Sequence, residues 1–105
     1  MKNIQTIKDV IVNTIPPESI KEILIFGSNA RNETTQDSDI DICIITNAPM
    51  SYEETKKYRG QMSRIFAFKY RVSTDILIKS NDDYIRYQGV IGAIENEIMR
   101  EGIVI

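Results

Sequence analysis

The 105-residue sequence contains no histidine, no tryptophan and a single cysteine, Cys43. The missing histidines exclude many routes to catalysis at once. No Ser-His-Asp or Cys-His nucleophile pair can form, nor an H-E-x-x-H zinc helix, nor a two-histidine, one-carboxylate iron site. One cysteine without histidine leaves too few ligands for a zinc site. It also excludes an internal disulfide and suits a reducing compartment. Any metal must therefore sit on oxygen ligands, as Mg²⁺, Mn²⁺ and Ca²⁺ do. Proton transfer falls to carboxylates, lysine, tyrosine, hydroxyls or metal-bound groups.

Long apolar runs are also missing. None approaches the ~20 residues of a membrane span. The opening stretch MKNIQTIKDV lacks the apolar centre of a secretory signal, so a cytoplasmic protein is expected. Five glycines and three prolines form no linker or low-complexity tract. One domain spanning residues 1–105 is expected. A hydrophobic fraction of 42% with 27% charged residues belongs to a folded chain, not a disordered one. The net charge of −2 argues against direct nucleic-acid binding. The charge is uneven, however. Residues 51–71 carry six Lys/Arg against Glu53 and Glu54, a local +4. That run reads as a solvated helix face or as a docking surface for a triphosphate or an acidic partner.

The elements follow from spacing. Ile4, Ile7, Ile11 and Ile15 recur at helical intervals, with Asn3 as N-cap and Pro16-Pro17 as the stop. Ser19 to Phe26 reads as a strand whose run Ile23-Leu24-Ile25-Phe26 is covered on both faces or nearly so. Asn32 to Ser38 is a polar loop. Asp39 to Thr46 reads as a second strand, antiparallel to the first. Its alternation puts Asp39, Asp41, Cys43 and Ile45 on one face and Ile40, Ile42 and Ile44 on the helix-packed one. Ser51-x-x-Glu54 is a capping box opening a helix to about Phe68. Arg71 to Lys79 reads as a third strand. Ser80-Asn81-Asp82-Asp83 caps one last helix carrying Tyr84, Tyr87, Ile91, Ile94 and Ile98, with Gly102 as its left-handed cap. Ile103-Val104-Ile105 reads as a short final strand. The fold class is α+β: a small mixed sheet with helices packed on one face.

The chemistry concentrates between Ile23 and Ile45. A strand ends in Gly27-Ser28, ten residues follow, and the next strand opens with Asp39-x-Asp41. At average residue frequencies this four-position pattern arises by chance on the order of once in a thousand such chains. Carboxylates at i and i+2 on one strand face can bridge two Mg²⁺ ions. Backbone N–H groups after Gly27, with the Ser28 hydroxyl, can cradle phosphates, and Gly27 allows close backbone approach. Asp75 is an acid in an otherwise apolar strand, where aspartate is depleted. It is a candidate third ligand and general base. Arg31 reads as a phosphate contact or as a structural partner of a carboxylate. Cys43 reads as a small core residue.

GSNAR, then SDID, then STDILI, with the closing MREGIVI, resembles the minimal nucleotidyltransferase (MNT) family of the DNA polymerase beta-like superfamily. The resemblance spans nearly the whole chain. It implies a polymerase beta-like nucleotidyltransferase fold, a metal triad of Asp39, Asp41 and Asp75, and phosphate binding at Gly27 and Ser28. The family's GSxARG reads GSNARN here, with Asn32 in place of a glycine. The resemblance further implies ATP as substrate, two Mg²⁺ ions (Mn²⁺ as a substitute), and an antitoxin. Such a protein moves AMP onto a tyrosine of a HEPN-domain toxin. Two alternatives stay open: nucleotidyl transfer to a small molecule such as an antibiotic, and a silent module that blocks its partner by docking. The sequence leaves the acceptor, the nucleotide and assembly into a homo-oligomer undecided.

Overall fold

Strand β2 (Ile40–Thr46) gathers the apolar residues that decide the fold. Ile40, Ile42, Ile44 and Ile45 are each at most 1% exposed. Fully burying one such side chain contributes about 1.5–3 kcal/mol. Because side chains alternate across a strand, burying both sets requires cover on both faces. The computed structural model describes residues 4–27 and 39–105. Asn3, expected as the first N-cap, and the expected loop 32–38 lie outside the described residues, as do Ser28 and Arg31.

Helix α1 (Ile4–Thr14) is followed by a 3₁₀ turn (Pro17–Ser19) and strand β1 (Ile20–Phe26). After β2 come α2 (Tyr52–Lys69), β3 (Thr74–Ser80), α3 (Asn81–Tyr87), α4 (Ile94–Glu101) and β4 (Ile103–Val104). The sheet order is β3-β2-β1-β4. β1 runs antiparallel to β2 and to β4, and β2 runs parallel to β3 with α2 as the crossover. The mixed α+β sheet, the antiparallel β1–β2 pair and the closing strand all match expectation. No helix among the described residues is long and apolar enough to cross a membrane.

Two cores form, one on each face. Ile23, Ile25, Ile40, Ile42, Ile44 and Ile76 pack against Ile7, Val10 and Ile11 of α1 and Met62 and Phe66 of α2. On the opposite face, Leu24, Phe26, Cys43 and Ile45 pack against Tyr84 of α3 and Ile98 of α4. The helices are therefore not confined to the one face expected. The alternation placing Ile40, Ile42 and Ile44 beneath helices holds, but the acid-bearing face is also partly roofed.

The capping box at α2 is present. Ser51 Oγ accepts from the Glu54 backbone N–H at 3.1 Å, and Glu54 Oε1 accepts from the Ser51 backbone N–H at 3.5 Å. Three other expectations are corrected. β3 starts at Thr74, not Arg71, because Arg71 takes a left-handed conformation (φ 58°) that turns the chain out of α2. The single last helix is two helices. Gly89 and Gly92 interrupt it, Gly92 has φ 94°, and Ile91 is 93% exposed instead of lying in the stripe. Gly102 is not a left-handed cap, since its backbone is extended (φ −72°, ψ 146°). A Cβ there would lie 2.5 Å from the Ile98 carbonyl oxygen and 3.1 Å from Leu24 Cδ2. That glycine is needed for close packing, not for its φ.

Candidate active site

Because β1 and β2 are antiparallel and β2 and β3 are parallel, the end of β1 meets the starts of β2 and β3 at one edge of the sheet. Phe26 is the register partner of Asp41, and Asp41 that of Asp75. Neighbouring strands lie about 4.8 Å apart, so two in-register acids on one face must feel each other. Asp39 stands just ahead of β2 and is exposed, as is Asp75, while Asp41 is half-buried. The backbone N–H of Ile40 donates to the Ser73 carbonyl at 3.0 Å, fixing the β2 and β3 entries to each other. Gly27 follows β1 directly, in the left-handed region at φ 70°. A Cβ built on it would run into the Asp41 carboxylate. The turn that ends β1 is thus packed directly against an acid of β2.

The electrostatics follow from this crowding. The Asp41 carboxyl is raised above its ordinary value, first by burial, then by the negative charges of Asp75, Asp39 and Glu97. Among the described residues, neither Asp41 nor Asp75 has a hydrogen bond or ion pair that would offset that repulsion. One step deeper on the same face, Cys43 is fully buried, and burial pushes its thiol up to about 12. It stays protonated and offers no thiolate, so it is the core residue expected.

The structure brings together Gly27, Asp39, Asp41 and Asp75. Ser28 and Arg31 lie outside the described residues. Among the described residues, no three acids are drawn closely enough to form a ready-made metal cluster. The donor set nevertheless suits a hard divalent cation. It is all carboxylate oxygen, it lacks histidine, its thiol is kept neutral, and its mutual repulsion is of the kind a cation relieves. The sequence reading did not anticipate that the charge of Glu97, in α4, acts on Asp41. An acid in the first turn of a helix looks like a complement to the helix dipole.

Residues 5–104 match the model of the nucleotidyltransferase domain. The chain belongs to that nucleotidyltransferase family. As a whole-length relative, a Methanocaldococcus jannaschii protein named "Putative protein adenylyltransferase" is 33% identical over 107 residues, covering 98% of this chain and 93% of its own. Among solved structures, a toxin–antitoxin complex with AMP-PNP superposes with a TM-score of 0.68 at 15% identity, over 95% of this chain and 69% of that one. A complex of the tri-AMPylated Shewanella oneidensis HEPN toxin with its MNT antitoxin matches with a TM-score of 0.54 at 14% identity, over 99% and 71%. These likenesses bear out the nucleotidyltransferase fold. The chain is a nucleotidyltransferase, with a protein adenylyltransferase as its whole-length likeness.

Proposed function

We propose that this nucleotidyltransferase moves AMP from ATP to a hydroxyl, a tyrosine, of a HEPN-type toxin, and so acts as an antitoxin. The observation that carries the reading is the in-register pair Asp41 and Asp75 with the Gly27 turn against Asp41. An acid pair meets a glycine turn where a triphosphate would have to lie. The named relatives support the acceptor class, since one is named for protein adenylyl transfer and another structure holds an AMPylated HEPN toxin with its MNT antitoxin.

In this reading Asp39, Asp41 and Asp75 hold Mg²⁺, two ions in the full site, with Mn²⁺ as a substitute. When bound, the ions neutralise the triphosphate and the departing pyrophosphate. Gly27 and Ser28 hold the phosphates through backbone N–H groups and the serine hydroxyl, with Arg31 as a further contact. The acceptor oxygen attacks the α-phosphorus, the bond to pyrophosphate breaks, and the hydroxyl proton passes to a carboxylate, for which Asp75 is the candidate. The products are an AMP ester and pyrophosphate.

The test incubates the chain with ATP, Mg²⁺ and a HEPN-domain partner, and reads the partner by intact mass. One or more AMP adducts, lost in EDTA and in Asp39→Asn, are expected. Tight binding without an adduct would overturn the transfer reading in favour of a silent docking module.

A further inference from the structure

Among the described residues, Arg71 alone takes a positive φ (58°) without being a glycine. It follows Tyr70, the residue that caps the end of α2. Glycine is the usual choice at that place, because a Cβ is disfavoured in the left-handed region. The turn itself is better served by glycine, so what the strain retains is the arginine side chain. Outliers of this kind collect at functional sites. The side chain is exposed and has no hydrogen bond or ion pair among the described residues. The fold fixes where it stands. The Val72 backbone N–H donates to the Phe66 carbonyl at 3.0 Å, and Val72 packs against the core beneath α1 and α2. The Ser73 carbonyl accepts from the Ile40 N–H at 3.0 Å, and Ile40 lies between Asp39 and Asp41. Asp75 then pairs in register with Asp41. Residues 71–73 therefore form a rim of the acid site, and Arg71 is at most about 14 Å of extended chain from Asp75. Two other cations are already engaged: Lys69 Nζ lies 5.4 Å from the centre of the Tyr70 ring, and Arg100 Nε donates to Asn96 Oδ1 at 3.0 Å. Asp39, Asp41 and Asp75 repel any phosphate oxygen that a cation does not hold.

We propose that Arg71 is a substrate-binding residue of this site: its guanidinium pairs with the triphosphate of the nucleotide, and the strained turn after α2 is kept to present it. The proposal rests on the reading of this sheet edge as the nucleotide site. A guanidinium meets a phosphate group through two parallel hydrogen bonds, a match that neither a glycine nor a lysine reproduces. Hydrogen bonds to charged groups are among the stronger ones, and losing this pairing corresponds to about a tenfold loss of affinity.

The experiment titrates AMP-PNP with Mg²⁺ into the full chain by calorimetry, and melts the same variants in EDTA. Arg71→Gly should melt at or above the parent, since glycine takes this turn without strain, yet bind AMP-PNP about tenfold more weakly. Arg71→Gln keeps the Cβ and part of the stem. It should melt with the parent and bind as weakly as the glycine variant. Arg71→Lys should recover part of the affinity, as a point charge without the fork. The gap between the parent and Arg71→Gln should narrow as salt is raised. Parental affinity in Arg71→Gln would overturn the proposal. Weak binding in Arg71→Gly alone would do the same, by assigning the effect to the backbone. A gap insensitive to salt would replace the phosphate pairing with an uncharged contact, and the proposal would fall. Asp41→Asn is the reference. If the parent binds no AMP-PNP, or Asp41→Asn binds it as the parent does, the nucleotide-site reading fails and takes the proposal with it; if Asp41→Asn loses it while Arg71→Gln does not, only Arg71 is misassigned.

Discussion

Asp41 and Asp75 are direct lateral partners on parallel strands, in one register with Ile42–Ile76 and Cys43–Leu77 behind them. Adjacent acids are unfavourable in a sheet. The apolar pairs that follow fix the register and leave the acids no way to slide apart. The site is thus a point of stored repulsion on a rigid frame.

That repulsion has a pH signature. Asp41 is raised above its ordinary value, so the folded chain holds a proton that the unfolded chain has already released. Stability therefore falls as pH rises through the window between the ordinary and the raised value, and the full cost remains at neutral pH. Asp41→Asn removes it. In EDTA at pH 7 the variant should melt no lower than the parent. Because Asp41 is only half-buried, solvent screening limits any gain to no more than about 4 °C. The advantage should shrink as pH falls toward about 4. Thermal melts across that range check the sign. A variant melting well below the parent at pH 7 would make Asp41 a structural residue.

Gly27→Ala should be costly on two counts. An L-residue in the left-handed region loses about 1–2 kcal/mol, and the new methyl meets the Asp41 carboxylate. A drop of roughly 4–8 °C per kcal/mol is expected in thermal melts, together with loss of nucleotidyl transfer. Adding Asp41→Ala should return part of the stability but none of the activity, and a double-mutant cycle measures that coupling.

The Cys43 thiol should be inert in the native chain. It is fully buried and pushed up to about 12, so neither access nor thiolate is available. Iodoacetamide at pH 8 should leave the native mass unchanged and add one carbamidomethyl group after denaturation. Rapid labelling of the native chain would contradict the packing of this face.

Thr74 opens β3, and its Oγ1 is buried with no hydrogen-bond partner among the described residues. A buried, unpartnered hydroxyl costs about 1–3 kcal/mol. Thr74→Val keeps the branched shape that suits a strand and should leave stability unchanged or raise it by about 1 kcal/mol in urea unfolding. A clear loss would reveal a partner for the hydroxyl.

The isoleucine-rich strands, the α2 capping box and the acid pair were legible because each is written as a local repeat or a short signature. The helix break was not. Tyr84, Tyr87, Ile91, Ile94 and Ile98 keep helical spacing straight across Gly89 and Gly92, and spacing counts side chains without asking what the backbone does between them. Ile91 fits the stripe on paper yet faces solvent. Arg71 hid the start of β3 in the same way, since a non-glycine residue at positive φ has no sequence mark. The effect of the Glu97 charge on Asp41 could not be read from the sequence either. Asp41 lies fifty-six positions earlier, and only the tertiary fold brings the two charges near each other.

The contact between the Gly27 turn and the Asp41 carboxylate also constrains how such a chain can evolve. A side chain at 27 would meet the carboxylate at 41 and would also carry the strain of a left-handed backbone, whereas a shorter residue at 41 would leave Gly27 untouched. A side chain appearing at 27 would have to be matched by a shortening at 41, and a shortened 41 has surrendered its acid. Lineages that abandon the chemistry but keep the scaffold are therefore free to lose the acid at 41 first, and a side chain at 27 should appear only where that acid is already gone.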